Sequence, residues 1–388
     1  MKSKIKTGII VAVGELFLKS EGVKKLLTRR LIGNFSYALN KENIDFRVHD
    51  FRGRFFVETE AVDKAIEVLG RIFGLSWFAP ATFIKDTGIN VLKNYVSGHY
   101  QVWIKEGETF ALRVRRDKEI KHHSIEIIDV VADCVTNRTV KLDNPDKEIF
   151  IEGRKNGWFV YHQKQKALGG LPVGSQGKVL SMISGGIDSP VSSFLMAKRG
   201  AENVWIHFHS FPVVSKKSIE KIKDTACEFI KFQPRLKVYF VPFSELQTAI
   251  KLKVPTKHRV LIYRRLMLKI AKEVARKDNC QALVTGESLG QVSSQTLTNL
   301  NISNNAVKDT LVLRPLIGMD KEEIIKIANK INTLDISNQP HEDCCTLFVP
   351  KHQSAEDNLE RIEKCEKALD LDILIAEAVK KIEIEVFE

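Results

Sequence analysis

Lys178-Val-Leu-Ser-Met-Ile-Ser-Gly-Gly-Ile-Asp-Ser189 carries an apolar strand straight into a Ser-Gly-Gly-x-Asp-Ser loop, with a helical pattern after it. Two glycines let the backbone turn sharply and present N–H groups, and a helix starting near Ser189 aims its positive end at an anion. The segment Ser184, Gly185, Gly186, Asp188 and Ser189 therefore reads as a phosphate cradle. A Walker A loop would finish in Gly-Lys-Ser/Thr, its lysine reaching the β and γ phosphates; here Asp188 stands in that region. A plain strand-to-helix turn accounts for a Gly-Gly pair alone, but not for the six-residue pattern in this setting.

The surroundings supply the architecture. Downstream, strand-like runs at 179–183, 204–209, 237–242, 282–285 and 310–313 alternate with helical spacing. That alternation predicts a doubly wound parallel sheet with its site at the carboxyl ends of the strands. Just upstream, Ala167-Leu-Gly-Gly-Leu-Pro-Val-Gly-Ser-Gln-Gly177 is the clearest linker in the chain. Before it lie strands at 9–13 and 55–58 with helices at 23–39 and 62–73, a small α+β unit of ferredoxin-like kind. A second unit follows, with strands at 109–115, 149–151 and 158–162 and a helix at 124–136. The expected domains are 1–75, 76–168 and 169–388.

Composition sets limits. The 388 residues suffice for two or three domains, and no run of 18 apolar residues marks a membrane span. The opening Met1-Lys2-Ser3-Lys4 and its short apolar run read as a first strand, not a signal peptide. Six cysteines (Cys134, Cys227, Cys280, Cys344, Cys345, Cys365) form no CxxC pair, which suits a reducing cytoplasm. Net charge is +12, and residues 1–170 hold 29 Lys+Arg against 21 Asp+Glu. The half without the phosphate loop is thus the more basic, which suggests a polyanion partner; a merely basic surface fits as well.

Other motifs fall at strand ends. Gly286-Glu-Ser-Leu-Gly-Gln-Val-Ser-Ser-Gln-Thr-Leu297 is rich in hydroxyls and amides able to bond phosphate, ribose or base edges, or is an ordinary polar loop. Lys251–Lys277 holds ten Lys/Arg beside an apolar stripe, with Arg264 and Arg265 at its edge and able to reach a nucleotide. In Arg314-Pro-Leu-Ile-Gly-Met-Asp-Lys-Glu-Glu323, Asp320 and Glu323 predict a capping box. Lys321 then opposes the helix dipole, a conflict that a bound anion removes; exposed N-terminal lysines also occur by chance. In Asn338-Gln-Pro-His-Glu-Asp-Cys-Cys-Thr-Leu-Phe-Val-Pro350, the vicinal Cys344 and Cys345 could be nucleophile and resolver, metal ligands with His341 and His352, or buried thiols. No spacing reads as a zinc site. Glu342 and Asp343 would tend to raise a thiol pKa.

The Ser184–Ser189 pattern resembles the PP-loop of enzymes that split ATP into AMP and pyrophosphate, and the whole chain resembles the tRNA 4-thiouridine synthase family, ThiI. Gly14-Glu-Leu-Phe-Leu-Lys19 is similar to the opening of its ferredoxin-like domain. Phe110–His162, with Leu142-Asp-Asn-Pro145, is similar to its THUMP domain, which in this family binds the acceptor end of tRNA. Gly169-Gly-Leu-Pro-Val-Gly174, Ser184–Ser189, Gly286–Gln295 and Arg314-Pro-Leu-Ile317 resemble its PP-loop ATP pyrophosphatase domain. The resemblance implies that Met182, Ile183 and the loop hold ATP, with Asp188 near pyrophosphate and Mg²⁺. His207 and Phe208 would grip adenosine, and Arg264, Gly286 and Gln295 fall on further nucleotide positions. Lys321 matches the lysine needed for adenylation. Cys344 matches the acceptor-domain cysteine, with Cys345 a second thiol. An RNA patch at Arg113, Arg115, Arg116 and Lys118 is expected, although a solvated basic strand fits that pattern too.

The activity so implied is an ATP-dependent tRNA sulfurtransferase making 4-thiouridine at position 8, with sulfur transfer for thiamine thiazole as a second role. Many members append a rhodanese-like domain; a form without it is expected here, because the sequence closes in a charged tail read as helical, Ile382-Glu-Ile-Glu-Val-Phe-Glu388. A cysteine desulfurase, a separate rhodanese or free sulfide are the candidate donors. A thiazole sulfur-carrier protein and a second copy in a homodimer are further expected partners, in the cytoplasm and without membrane contact. Two other classes remain: a different PP-loop adenylating enzyme, either another tRNA thiolase or a small-molecule amidating synthetase, and a non-catalytic RNA-binding protein.

Overall fold

The structure, a computed structural model, describes residues 5–15, 20–51, 53–340 and 357–388. The chain divides into two compact units, residues 1–172 and 173–388. In the first, β1 (Ile5–Val13), α1 (Glu21–Lys41), β2 (Arg47–Asp50), β3 (Arg54–Glu58) and α2 (Val62–Leu69) lead into β4 (Leu75–Ile84). Then come α3 (Ile89–Trp103), β5 (Thr109–Arg116), α4 (Ser124–Ala132), β6 (Thr139–Val140), β7 (Lys147–Arg154), β8 (Gly157–Tyr161) and β9 (Gln165–Lys166). Among the described residues these strands form one sheet of order β2-β3-β1-β4-β8-β7-β5-β6, with β9 also on β4. β4 pairs with β1 on one edge and with β8 on the other, so one sheet runs across the expected boundary at residue 75.

Strand periodicity sorts the side chains. Ile9, Val11, Phe55 and Val57 pack under α1, whose Leu27, Leu31, Phe35 and Leu39 recur every fourth residue on its buried face. Leu112, Ile149, Ile151, Trp158 and Val160 pack with Leu92, Val96, Ile127 and Val131 of α3 and α4. The alternate residues Ile10, Phe56, Phe83, Phe159 and Tyr161 form a separate, ring-rich cluster.

The second unit is the expected doubly wound sheet. β10 (Lys178–Met182), α5 (Asp188–Lys198), β11 (Glu202–His209), α6 (Lys217–Phe229), β12 (Leu236–Pro242), α7 (Ser244–Lys253) and α8 (Arg259–Lys277) precede β13 (Ala282–Val284). After it come α9 (Leu297–Asn305), β14 (Val312–Leu313), α10 (Lys321–Lys330), α11 (Leu334–Asn338), α12 (Leu359–Lys367), α13 (Leu371–Lys380) and β15 (Glu383–Phe387). Strand order is β14-β13-β10-β11-β12-β15, with every neighbour parallel except β15. The order therefore reverses between β10 and β13, which opens a crevice at their carboxyl ends. No helix among the described residues is long and apolar enough to cross a membrane.

Two readings need correction. The tail is helical only through α13; its last residues pair antiparallel with β12, Leu236 opposite Phe387. Glu-Ile-Glu-Val-Phe has a period-two pattern that suits an edge strand, and charge alone concealed it. Arg265 does not reach toward a nucleotide. It is buried, donating from Nε and Nη2 to Glu366 at 2.8 and 2.9 Å and from Nη1 to the Ile302 carbonyl at 2.5 Å.

Burial alone would raise the Glu366 pKa, but the bonds and charges of Arg265 and Lys269 outweigh it and hold the carboxyl below its ordinary value. A lowered folded-state pKa gives stability that is present at neutral pH and lost as pH falls through the folded value. Glu366→Gln leaves Arg265 buried without its counter-charge and should cost about 3–5 kcal/mol at neutral pH. In urea melts, the gap between wild type and variant should narrow below roughly pH 4; a pH-independent gap would contradict the ionic account.

Candidate nucleotide site

The loop after β10 is closed by its own hydroxyls. Ser184 N–H donates to Ser189 Oγ at 2.9 Å, and that hydroxyl donates back to the Ser184 carbonyl at 3.2 Å. Gly186 N–H lies 3.3 Å from Ser184 Oγ. No side chain caps the start of α5, so its first turn presents N–H groups toward the crevice with the positive end of its dipole.

Asp188 opens α5 and gathers two other loops. Its Oδ1 accepts from Lys321 Nζ at 2.6 Å, and its Oδ2 accepts from Gln291 Nε2 at 2.8 Å. Lys321 is set by the capping box that the sequence predicts: Glu323 N–H to Asp320 Oδ1 at 2.8 Å, and Asp320 N–H to Glu323 Oε2 at 3.0 Å. The loop after β13 is fastened to the approach to α10 by Ser288 Oγ donating to the Met319 carbonyl at 2.8 Å.

These loops border a cavity of about 640 Å³. Met182, Ile183, Ser184, Gly186, Asp188, Ser189, His207, Phe208, Arg264, Gly286 and Gln295 all line it. Gly185 belongs to the loop without lining the cavity, and Lys321 stands beside it through Asp188. His207 donates from Nδ1 to the Ile183 carbonyl at 2.8 Å, which fixes its ring. Val260, Met267 and Leu268 of α8 add an apolar wall. A volume of this size, apolar on one side and hydrogen-bonding on the other, suits a nucleotide.

Sequence reasoning overlooked Glu287 and Arg314. Buried Glu287 accepts from Arg264 Nη1 at 3.1 Å, Arg314 Nε at 2.7 Å and Thr285 Oγ1 at 2.9 Å. Arg264 Nη1 also donates to the Ser294 carbonyl at 3.1 Å. One carboxylate thus orients two guanidinium groups, leaving a net positive charge in the network. An acidic residue one step from a proposed anion site looks adverse in sequence, and its paired arginines come from distant elements.

In the first unit, a pocket of about 300 Å³ is lined by Trp77, Arg113, Arg115, Phe150, Glu152, Tyr161 and Lys164, among others. Phe150 and Tyr161 stack at 5.0 Å and 7°, and Trp77 lies 5.5 Å from Tyr161. Lys164 and Arg54 sit over the Trp77 ring at 4.5 and 4.9 Å. Burial lowers the Lys164 pKa, with Arg115 and Arg54 adding to the effect. The four basic residues selected from sequence separate: Arg113 and Arg115 line this pocket, whereas Arg116 donates to the Ile120 carbonyl and contacts His123, and Lys118 is exposed. Arg113 is also held by Glu148 at 2.7 Å and the Leu142 carbonyl at 2.8 Å. Cys344 and Cys345, with His341 and His352, lie outside the described residues.

The chain is similar in sequence and fold to known proteins. The family model described as Thiamine biosynthesis protein (ThiI) matches residues 174–371, the ThiI ferredoxin-like domain residues 8–79, and the THUMP domain residues 98–163. A Listeria welshimeri protein named "Probable tRNA sulfurtransferase" is 38% identical over 382 residues, covering 97% of this chain and 94% of its own. A Lysinibacillus sphaericus protein of the same name is 39% identical over 393 residues, covering 98% and 95%. Among solved structures, a 4-thiouridine synthetase–RNA complex with bound ATP superposes with a TM-score of 0.90 at 30% identity, across 99% of this chain and 100% of that one.

Gly286 is where the two central loops meet. A Cβ there would lie 2.8 Å from the Ser189 nitrogen and 2.9 Å from its Cα, both backbone atoms that cannot swing aside. Gly318 has open space at the same position. Gly286→Ala should therefore destabilise the second unit by about 1–3 kcal/mol in denaturant melts, with Gly318→Ala within about 0.5 kcal/mol of wild type. Equal effects would refute the close approach.

Proposed function

The chain belongs to the ThiI family, and from that membership we propose that it is an ATP-dependent tRNA sulfurtransferase that converts uridine 8 to 4-thiouridine. The observation that carries this reading is the cavity at the strand-order reversal, bordered by an uncapped helix start, with Asp188 and Lys321 paired beside it. ATP binds with its base and ribose against Phe208, His207 and the α8 wall and its phosphates over Ser184–Ser189. Uridine O4 attacks the α-phosphorus, pyrophosphate leaves, and an adenylated base results. Positioning and electrostatics dominate such chemistry. The loop N–H groups and Lys321 meet charge that grows on the phosphates, and Arg264, aimed by Glu287, adds a fixed positive group.

Asp188 offers one hard carboxylate next to the cradle, which would hold a Mg²⁺ brought in with the substrate phosphates. The ion would supply charge neutralisation on the departing pyrophosphate.

Sulfur then displaces AMP at C4. Burial raises the thiol pKa of Cys134, Cys280 (up to about 12) and Cys365, so these three are poor nucleophiles. Cys344 is assigned the persulfide and Cys345 its release by disulfide formation. The sulfane sulfur of that persulfide comes from the persulfide of a cysteine desulfurase or a separate rhodanese, whose thiol leaves; free sulfide instead displaces AMP at C4 directly, without Cys344. The pocket of the first unit, with Arg113 and Arg115 beside stacked rings, is assigned to the acceptor end of tRNA, where rings take unstacked bases and cations take phosphates. Arg116 and Lys118 extend that basic strand. Delivery of sulfur to a thiazole carrier protein, a homodimeric assembly and a cytoplasmic location complete the proposal.

The test monitors AMP release and 4-thiouridine formation on unmodified tRNA with sulfide supplied, using wild type, Asp188→Ala, Lys321→Ala and Cys344→Ser. Lys321→Ala and Asp188→Ala should each lower adenylation by about 10²–10³-fold. Cys344→Ser should release AMP at the wild-type rate. A wild type that releases AMP without ever thiolating the base would overturn the substrate assignment.

A further inference from the structure

Lys221 lies on the buried face of α6, only 2% exposed. Its ammonium donates to the Ser337 carbonyl at 2.7 Å and to the Gln339 carbonyl at 2.9 Å. Those oxygens close the last turn of α11, where carbonyls lack helical partners and the dipole is negative. Ser337 in turn places its hydroxyl 3.5 Å from the carbonyl of Gly186, in the phosphate loop. Lys221 therefore fixes a short piece of chain against the nucleotide site.

Burying an ammonium costs several kcal/mol before its bonds are counted, and an apolar side chain of similar volume would fill the same space without that cost. Packing alone does not account for a lysine here. The cysteines beyond Gln339 give the anchor a task. Cys344 is five residues further along the sequence. Asp357, beyond that cysteine segment, has a second buried polar contact: His258 Nδ1 donates to Asp357 Oδ2 at 2.5 Å. Two buried polar contacts, from different elements, thus hold the described residues on either side of the two cysteines.

We propose that Lys221 is a positioning residue for sulfur delivery, fixing where the cysteine-bearing chain leaves the nucleotide site. This rests on the sulfurtransferase reading above. Among the described residues Lys221 acts through the carbonyls of Ser337 and Gln339.

Lys221→Met and Lys221→Arg in the full chain test it. Single-turnover thiolation is compared between protein whose cysteines are preloaded with polysulfide and protein given excess free sulfide, with AMP release measured in both. Lys221→Met should keep the ATP KM and AMP release within about twofold, yet lose about tenfold or more in thiolation from the preloaded cysteine. Free sulfide should remove the difference, and Lys221→Arg should restore part of it. Combined with Cys344→Ser, Lys221→Met should cost nothing further, since both act on one step. Parallel losses in AMP release and thiolation would reduce Lys221 to a structural role. Hydrogen exchange at residues 334–339 reports the anchor without any activity: protection there should fall about tenfold in Lys221→Met with α8 unchanged, and unchanged protection would overturn the anchor. A wild type inactive in thiolation would defeat the functional reading and with it the delivery role, a result distinct from an anchor that fails in exchange.

Discussion

Everything in the second unit depends on β10 having β11 on one side and β13 on the other. Because the connection leaving β10 runs to β11 and the one leaving β13 runs to β14, on opposite sides of this reversal, neither covers the crevice between their carboxyl ends. The backbone there is forced to turn at once into α5, and the turn is where N–H groups accumulate. The neighbouring strand must bring its own loop in at van der Waals distance, which is why the residue after Thr285 has no side chain: a Cβ at Gly286 would strike the Ser189 backbone. The cavity is thus a consequence of strand order, and its chemistry is what three converging loops place at its rim.

The charges at that rim are arranged for a ligand that is itself charged. Asp188 occupies both oxygens with Lys321 and Gln291, and Glu287 occupies both with Arg264, Arg314 and Thr285. Each carboxylate has a geometric task, holding donors of separate loops at fixed places. The cations keep donors beyond those used by the carboxylates, since an ammonium has three and a guanidinium five. Preorganised donors of this kind need no reorganisation when negative charge develops, which is the condition for strong electrostatic catalysis.

Much of this was legible in the chain. The phosphate loop and the α10 capping box are local, each settled by a few consecutive residues, so Asp188 and Lys321 could be singled out from sequence. Arg264 and Arg265 differ by only one position, but one position is about 100° on a helix. Arg265 falls in register with Leu261 and Leu268 and is carried inward to Glu366, whereas Arg264 faces the cavity. Periodicity contained that answer; the basic character of the segment obscured it. Glu287 was illegible for a different reason, because its partners come from α8 and from the end of β14. The alternation of β5 likewise divides Arg113 and Arg115 from Arg116, a division that charge counting overlooks. Five elements of the first unit escaped the reading, β4 and α3 being the longest of them and β2, β6 and β9 short strands. β4 packs different clusters from its two faces and so lacks a polar face to reveal its period.

Buried charge recurs wherever distant segments must be held in one register. Arg265 and Glu366 are 101 residues apart, His258 and Asp357 99, and Lys221 and Gln339 118. Apolar replacements of similar volume would often give equal or greater stability, so stability alone is weak ground for keeping such groups. Apolar contacts, however, tolerate sliding, because dispersion and burial have little directional preference. A charged hydrogen bond does not: displacement by an ångström or two leaves a buried group unsatisfied at a cost of one to several kcal/mol, as an order of magnitude. These contacts therefore convert a small displacement into a large penalty. In a unit whose cavity is assembled from loops on separate strands, that penalty keeps the rim from drifting, and it acts on α8, α11 and α12 without requiring any of them to touch the ligand.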